Sequence, residues 1–223
     1  MKIAKDSTLL MIGDSITDCG RTYDAIPGGW GSFGEGYVSL VNACFTGLSP
    51  QKRIKVFNKG FSGDTILDLN KRWQQDVLDM NPDYVSIMIG INDVWRHFDA
   101  LLQKCHLVTP KEFEETYDEI ICKTKDKVKD IFILGPFMVE SNRQDEMRKL
   151  VDEYAQIARN IANKHGLIYI DMQSRIDEFL THLPSYAISS DRVHPNLQGH
   201  MILAKAFLDG VDFRFSEEES QNI

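Results

Sequence analysis

Three residues from opposite ends of the sequence carry the side chains that nucleophilic acyl transfer needs. Ser15 comes shortly after the apolar run 8–12 stops. A serine hydroxyl is a weak nucleophile at neutral pH unless a base lies within hydrogen-bond reach. His194 is the best candidate for that base, and Asp191 could hold one of its ring nitrogens and stabilise the imidazolium. The sequence therefore predicts Ser15 as nucleophile, His194 as general base and Asp191 as the orienting acid.

Two further segments could supply donors for the oxyanion that acyl transfer creates. They read "NKGFSGDT" (58–65) and "GINDVW" (90–95). The developing charge needs hydrogen-bond donors placed in advance. The backbone N–H groups of Ser15 and Gly63 and the side-chain amide of Asn92 would supply three. Gly63 suits this role because a glycine backbone can approach a ligand closely and adopt positive φ.

Five short apolar runs alternate with segments of helical periodicity, and these elements must position the candidate residues. The apolar runs cover residues 8–12, 54–57, 84–89, 131–134 and 167–170. Nearly continuous apolar strands are typical of a parallel sheet that is covered on both faces. The alternation predicts an α/β fold with helices on both sides of the sheet. Ligands bind outside the carboxyl ends of the strands in such sheets, and the serine, glycine and asparagine segments each follow a predicted strand.

Local signals predict the helix boundaries and the extent of the domain. Residues 64–65 and 109–110 are typical of helix starts, and Gly166 is typical of a helix stop. There is no internal repeat and no linker rich in proline, glycine or serine, so we expect one domain over residues 1–213. The acidic end of the chain, residues 214–223, is expected to be disordered.

The composition restricts the classes of partner. The chain has 223 residues, 43% of them hydrophobic, and a formal net charge of -8. An acidic protein repels phosphate backbones and anionic lipid surfaces, so we expect neither nucleic acid nor a membrane as partner. The run 8–12 is too short for a signal-peptide core, which makes the cytoplasm the expected location. No metal or cofactor is expected, because the cysteines lack CxxC spacing and are predicted to be free thiols: Cys19, Cys44, Cys105 and Cys122.

Taken together, four blocks resemble the signature of the SGNH, or GDSL, hydrolases. The serine block reads "GDSIT", the glycine block "NKGFSGDT", the asparagine block "GIND" and the histidine block "DRVHP". The resemblance extends from Leu9 to about Leu208. It implies a flavodoxin-like, three-layer α/β/α fold around a five-stranded parallel sheet. It also implies an esterase that works through an acyl-enzyme, with the same three residues as its triad and with Gly63 and Asn92 in its oxyanion hole.

Longer segments resemble the intracellular bacterial acetylxylan esterases of this superfamily, namely "LLMIGDSITDCGR", "SFGEGYV", "IMIGINDVWR" and "DRVHPNLQGHMILAKAFL". The resemblance implies a small acetylated saccharide, such as a xylo-oligosaccharide, as substrate, and a homo-oligomer as the assembly. Aromatic rings can stack on sugar rings, so Trp95 and Trp30, together with Asp14, are the predicted substrate contacts. One departure is Ser190, where those esterases often place an aromatic residue, so the wall or subunit contact of such a ring is not predicted here.

Other functions remain open on the same residues. Lysophospholipase, thioesterase and arylesterase activities occur on the same fold. Cys19 could replace Ser15 as nucleophile, although its position four residues later predicts that it points elsewhere. A carbohydrate-binding protein without catalysis is another alternative, but it has no need of an intact nucleophile, base and acid. No HExxH pattern is present, yet a metal-dependent hydrolase could draw its ligands from a set of acids and one histidine: Asp14, Asp18, Asp93, Asp191 and His194.

Overall fold

The computed structural model describes residues 1–99 and 105–215. Within them, five strands form one parallel sheet in the order β2-β1-β3-β4-β5. The order is the flavodoxin-like one and confirms the predicted five-stranded parallel sheet. The strands are β1 Thr8–Gly13, β2 Lys55–Gly60, β3 Tyr84–Met88, β4 Asp130–Leu134 and β5 Ile168–Ile170.

Two layers of helices cover the sheet, which confirms the three-layer α/β/α fold. The described α-helices are α1 Ser15–Asp18, α2 Tyr37–Ala43, α3 Ile66–Trp73, α4 Ile91–Asp99, α5 Pro110–Thr124, α6 Glu146–His165, α7 Met172–Leu180 and α8 Leu197–Gly210. Helices α2 and α7 pack against α8 in one layer, whereas α3, α4, α5 and α6 pack against one another in the other. None of the helices in the two described ranges combines the length and apolar character that crossing a bilayer requires.

Burial on both faces explains why the strands read as apolar runs without alternation. Every residue of β3 is buried, and Leu9, Leu10, Met11 and Ile12 of β1 have no exposed surface at all. A strand with helices above and below it has no solvent-facing side, so polar residues gain nothing from alternate positions. The core of the domain therefore lies on both sides of β1, β3 and β4.

Side-chain caps place the helix boundaries where the sequence predicts them. Thr65 caps α3 and Thr109 caps α5, each in a reciprocal capping box with an acidic residue three positions later. Gly166 ends α6 in the left-handed conformation, with φ of 67°. These predicted boundaries are confirmed because each cap bonds only to residues within a few positions of the helix end.

The second strand is longer than the predicted run 54–57. It continues through Asn58 to Gly60 because these residues pair with the end of β1, where Gly13 lies opposite Gly60. The buried Asn58 side chain donates to the carbonyl of Thr17 at 2.7 Å and thereby replaces the apolar contact expected at this depth. Pairing with a neighbouring strand thus overrides the polar composition of this segment.

At the other end of the chain, Phe213 is buried and its ring lies 5.5 Å from that of Phe45, so the chain is still packed on the domain here. The predicted disordered segment falls largely on residues 216–223, which lie outside the described residues.

The strand order places a topological switch point at the carboxyl edge between β1 and β3. Chain connections leave these two neighbouring strands toward opposite sides of the sheet, and such a switch point is where open α/β sheets bind ligands. Helix α1 begins directly after β1, and helix α4 begins shortly after β3. The fold therefore brings the serine and asparagine segments to the same edge.

Candidate active site

Ser15 is the first residue of α1, directly beyond β1. The Asp14 side chain caps this helix by accepting a hydrogen bond of 3.0 Å from the backbone N–H of Ile16. A side chain at Gly13 is impossible, because its Cβ would lie 2.1 Å from the carbonyl oxygen of Met88. The close approach of β1 to β3 at this point fixes where α1 begins, and with it the position of the serine hydroxyl.

The structure joins Ser15, His194 and Asp191 in one chain of hydrogen bonds. The Oγ of Ser15 lies 2.8 Å from Nε2 of His194, and Nδ1 of the same ring lies 2.7 Å from Oδ2 of Asp191. A carboxylate can only accept, so Nδ1 carries the proton and Nε2 is left to accept from the serine hydroxyl. This geometry is that of a nucleophile, a base and an acid that orients the base.

Asp191 is held in its ionised form by the turn on which it lies. Its Oδ1 accepts from the backbone N–H groups of Val193 at 2.9 Å and His194 at 2.8 Å. Burial acts to raise the pKa of this carboxyl, but the hydrogen bonds from the His194 ring and the two backbone groups lower it to about 2. The carboxylate therefore carries its negative charge beside the ring at any pH near neutrality.

The conformation of the same turn depends on Arg192. Its backbone lies in the left-handed region, with φ of 67°, which is uncommon for residues other than glycine, asparagine and aspartate. Its guanidinium group bonds to Glu140 at 2.7 Å and to Asp145 at 3.1 Å, and its carbonyl accepts from the N–H of Val139. These contacts anchor the histidine turn to the segment that follows β4.

The glycine and asparagine segments are joined to each other by a hydrogen bond. Gly63 lies in the loop between β2 and α3 with φ of 90°, a conformation that glycine adopts without strain. Asn92 is the second residue of α4, and its Nδ2 donates to the carbonyl oxygen of Asp64 at 3.0 Å. Asp64, which follows Gly63 in the sequence, is thus bonded directly to Asn92. The N–H group of Ser15 is the third predicted donor, and it lies at the start of α1, where the first residues of a helix have no intrahelical acceptor.

Two buried acids, Asp14 and Asp93, bind backbone N–H groups at the helix starts of this edge of the sheet. Asp93 is fully buried, and its carboxyl accepts from the N–H of Ile66 at the start of α3. Burial raises the pKa of Asp93 to about 8 and that of Asp14 to about 7. Two carboxyl groups below the predicted site are therefore costly to ionise, and their protonation depends on pH in the neutral range.

The sequence did not indicate that two further residues, Arg72 and Asp18, support this site. Arg72 donates to Asp64 at 2.6 Å and to the carbonyl oxygens of Lys59 and Gly13 at 2.8 and 3.0 Å. The Oδ2 of Asp18 accepts from Ser62, the neighbour of Gly63, at 2.5 Å. Asp18 could have been suspected from its place on α1, but no local pattern marks Arg72.

The predicted substrate contacts lie in three different settings. The Trp95 ring lies 5.5 Å from the His194 ring in an edge-on arrangement, so it borders the predicted site. Trp30 is fully exposed, on the loop between α1 and α2. The side chain of Asp14 is only 1% exposed, so its burial does not support direct contact with a substrate. These three roles stay predictions.

Cys19 points away from Ser15, as the sequence predicts. It follows α1 in the left-handed conformation, and its Sγ lies 3.2 Å from Nε2 of His200. Nδ1 of His200 accepts from the N–H of Tyr37, and burial lowers the pKa of this histidine to about 4. Burial also raises the pKa of the Cys19 thiol. A protonated thiol beside a neutral imidazole is not an activated nucleophile.

Metal-ligating side chains also come together away from the serine. Among the described residues, Asp118, Cys122 and His165 on α5 and α6 present ligand atoms that lie within 4.8 Å of one another. The Lys164 ammonium group already lies 2.8 Å from Oδ1 of Asp118 and neutralises its charge. The acids considered for a metal-dependent hydrolase are instead engaged within the protein: Asp14 and Asp93 accept from backbone N–H groups at helix starts, and Asp191 is bonded to His194.

Comparisons with known proteins agree with this geometry. The model of the GDSL-like Lipase/Acylhydrolase family matches residues 11–202. "Acetylxylan esterase" of Geobacillus stearothermophilus is 44% identical over 215 residues, which is 96% of this chain and 98% of that protein.

Solved structures are equally similar. Axe2, an acetylxylan esterase from Geobacillus stearothermophilus, has a TM-score of 0.95 at 44% identity, covering 98% of this chain and 100% of its own. LAE5, an alpha/beta hydrolase enzyme from the metagenome of Lake Arreo, Spain, has a TM-score of 0.93 at 43% identity, covering 96% of this chain and 98% of its own. Three further structures are catalytic mutants of Axe2, in which a serine, an aspartate or a histidine is replaced by alanine. The chain belongs to the GDSL-like lipase/acylhydrolase family and is a carboxylic ester hydrolase of the SGNH type.

Proposed function

We propose that the protein removes acetyl groups from short, water-soluble sugar chains such as acetylated xylo-oligosaccharides. The observation that carries the proposal is the hydrogen-bond chain Ser15–His194–Asp191 in a protein that is 44% identical, over 96% of its length, to an acetylxylan esterase. Membership of the family gives ester hydrolysis, and the similarity to this relative supports the acetylated sugar as the substrate.

The first half of the proposed reaction transfers the acetyl group to the enzyme. His194 takes the proton of Ser15 as Oγ attacks the carbonyl carbon of the ester, and the π electrons move to the carbonyl oxygen. The N–H groups of Ser15 and Gly63 and the Asn92 amide stabilise the resulting oxyanion. The carbonyl then reforms, and the sugar oxygen leaves with the proton from His194. Asp191 stabilises the imidazolium between these two proton transfers.

The second half releases acetate by the same steps. A water molecule attacks the acetyl-serine while His194 accepts one of its protons, and the same three donors stabilise the second oxyanion. When that intermediate collapses, Oγ of Ser15 leaves and recovers its proton from His194. The product is acetic acid, which gives its remaining proton to water and becomes acetate, and the free enzyme is restored. The proposed steps use only the triad, the three donors and water.

The exposure of the triad supports a soluble substrate rather than a long acyl chain. The side chains of His194 and Asp191 are 42% and 39% exposed, so the reacting ester is reachable from water. A long acyl chain would need an apolar tunnel or groove to cover it. The partly exposed Trp95 ring beside His194 suits a sugar ring, which stacks on aromatic faces. We assign Trp95 as the first sugar contact and keep Trp30 as a second.

A substrate panel tests the proposal. The panel contains acetylated xylo-oligosaccharides, acetyl-CoA, a lysophospholipid, and 4-nitrophenyl esters from acetate to octanoate, each measured with the parent enzyme and with Ser15→Ala. We expect the highest kcat/KM among the natural esters for the acetylated oligosaccharide, and no turnover of any ester by Ser15→Ala. A higher kcat/KM for acetyl-CoA or the lysophospholipid, or better turnover of octanoate than of acetate, would overturn the substrate assignment.

The sugar contact has its own test. Trp95→Ala should raise KM for the oligosaccharide by about tenfold while changing KM for 4-nitrophenyl acetate little, because only the sugar uses the ring. Phe98→Ala, a partly exposed aromatic position on the same helix, is the control and should leave both constants unchanged. An equal rise for both esters in Trp95→Ala would instead assign the ring to the support of His194.

The same proposal includes the assembly and the location of the enzyme. Several large apolar side chains are strongly exposed, among them Trp30, Ile26 and Tyr186. We propose that a homo-oligomer covers part of this surface, because contiguous exposed apolar patches mark interaction sites. All four cysteines are free, which supports the reducing cytoplasm. Light scattering of the purified protein tests the first proposal, and immunodetection in fractionated source cells tests the second. A monomer by light scattering, or protein found outside the cytoplasmic fraction, would refute the respective part.

A further inference from the structure

We propose that Arg96 is a positioning residue for the hydrolytic reaction, which acts by fixing and polarising the Asn92 amide in the oxyanion hole. The inference rests on the proposed reaction at Ser15 but not on the identity of the sugar. Asn92 and Arg96 lie one turn apart on α4, so their side chains share one face of the helix.

The hydrogen bonds of Asn92 leave one of its amide hydrogens unassigned. The amide is buried, its Nδ2 donates to the carbonyl oxygen of Asp64 at 3.0 Å, and its Oδ1 accepts from Nη2 of Arg96 at 3.1 Å. A carboxamide nitrogen carries two hydrogens, so the second remains for the oxyanion. The two partners together define which way the amide faces.

Removing either partner would allow the wrong orientation. With both present, a flipped amide would place its NH₂ group against a guanidinium group and its oxygen against the Asp64 carbonyl oxygen, and both contacts are repulsive. With Arg96 gone, only the bond to Asp64 restrains the amide, and its free oxygen can turn toward water. Arg96 therefore keeps the donor in place between catalytic cycles.

The charge of Arg96 also strengthens that donor. A cationic donor on Oδ1 draws electron density through the conjugated amide toward the oxygen, which leaves the N–H groups more positive. The Asn92 side chain is almost wholly buried, so water weakens this effect little. The result is a better hydrogen bond to the charge that develops in the transition state.

Arg96 is itself restrained on two sides. Its guanidinium group is ion-paired with Asp99 and lies 5.3 Å from the centroid of the Trp95 ring, which in turn borders His194. The Asp99 carboxylate lies beside the guanidinium group and would repel an anion, which argues against Arg96 as a binding site for an anionic substrate. One side chain thus contacts both the oxyanion donor and the ring beside the base.

Steady-state kinetics with Arg96→Gln and Arg96→Lys test the role. The substrate is 4-nitrophenyl acetate, so the result is independent of the sugar. We expect Arg96→Gln to lower kcat about tenfold at nearly constant KM, which is less than the roughly 10²–10³-fold loss on removing an oxyanion donor outright. Arg96→Lys, which keeps the charge but not the planar group, should recover part of the rate. Arg175→Gln is the matched control, because Arg175 is also ion-paired to an acid three residues later on an exposed helix.

A double-mutant cycle separates this role from a general structural one. If Arg96 acts through Asn92, Arg96→Gln should cost less than about twofold in the Asn92→Ala background. Equal losses in both backgrounds, or parent-like kcat in Arg96→Gln, would overturn the inference. Parent-like activity of Asn92→Ala would instead remove Asn92 from the proposed oxyanion hole. Thermal unfolding of each variant confirms that it is folded, and Arg96→Lys carries the test if Arg96→Gln is not.

Discussion

The guanidinium group of Arg72 lies 3.0 Å from the carbonyl oxygen of Gly13, so a residue on α3 holds the end of β1. The same side chain bonds to Asp64 and Asp76 at 2.6 and 2.9 Å. It thus connects the strand that precedes Ser15 with the loop that carries Gly63. The position of Ser15 relative to Gly63, a proposed oxyanion donor, therefore depends on a residue that is not bonded to the triad.

We predict that Arg72→Met destabilises the protein and slows it. The side chain is only 17% exposed, and its loss leaves Asp64 without its cationic partner and Asp76 with Lys59 alone, which should cost about 3 kcal/mol in the free energy of unfolding. Lys71→Met on the same helix removes a largely exposed ion pair and should cost less than about 1 kcal/mol. Urea unfolding with kcat on 4-nitrophenyl acetate measures both effects. Equal stabilities of the two variants would contradict the role assigned to Arg72.

The acid of the triad gives a second prediction. Asp191→Asn should lower kcat by about 10³–10⁴-fold, because an amide favours the tautomer in which Nε2 of His194 carries the proton and cannot accept one. The Asn oxygen can still accept from the N–H groups of Val193 and His194, so the turn should stay folded. Turnover of 4-nitrophenyl acetate and circular dichroism are the measurements. A loss of less than about tenfold would mean that His194 is oriented by some other group.

Asp93 makes stability depend on pH. Burial raises the pKa of its carboxyl from 3.8 to about 8, so the folded protein binds this proton more tightly than the unfolded chain. The stability contributed by the proton is complete below pH 3.8 and is lost as the pH rises through about 8. The free energy of unfolding of the parent should therefore fall relative to that of Asp93→Asn, by at most about 1.4 kcal/mol per pH unit.

Urea unfolding at several values between pH 5 and pH 8 measures this difference. Asp24→Asn removes the same charge from an exposed loop and serves as the control. Its free energy of unfolding should vary with pH in the same way as that of the parent. Parallel curves for the parent and Asp93→Asn would show that the carboxyl is ionised in the folded protein throughout this range.

The cysteine near the nucleophile gives the fourth prediction. Cys19→Ala should keep kcat/KM within about twofold of the parent, because a protonated thiol directed at His200 takes no part in the attack. Ser15→Cys provides the contrast, since it alone alters the attacking atom. A folded but inactive Cys19→Ala would transfer the role of nucleophile to the thiol.

Features that depend on neighbouring residues in the sequence could be predicted. The start of α3 at Ile66 follows from the Thr65 capping box, and the end of α6 follows from Gly166. The pairing of Asp191 with His194 is equally local, because both lie on one turn. The five strands were recognisable because burial on both faces demands continuous apolar runs.

Features that depend on contacts between distant segments could not be predicted. The strand character of Asn58–Gly60 comes from pairing with β1, and the role of Arg72 comes from three segments that only the fold brings together. The burial of Asp14 likewise follows from the packing around the start of α1, so the sequence alone places this acid in the open. Spacing reveals a capping partner, but it does not reveal a partner on another element.

The two halves of the triad are 179 residues apart, with Ser15 near the beginning of the chain and His194 close to its end. During synthesis Ser15, Gly63 and Asn92 leave the ribosome long before His194 does. A nascent chain can therefore fold its first strands without being able to cleave an ester. A chain that ends before the turn 191–194 lacks both the acid and the base, so we expect such a truncated product to be inert toward esters.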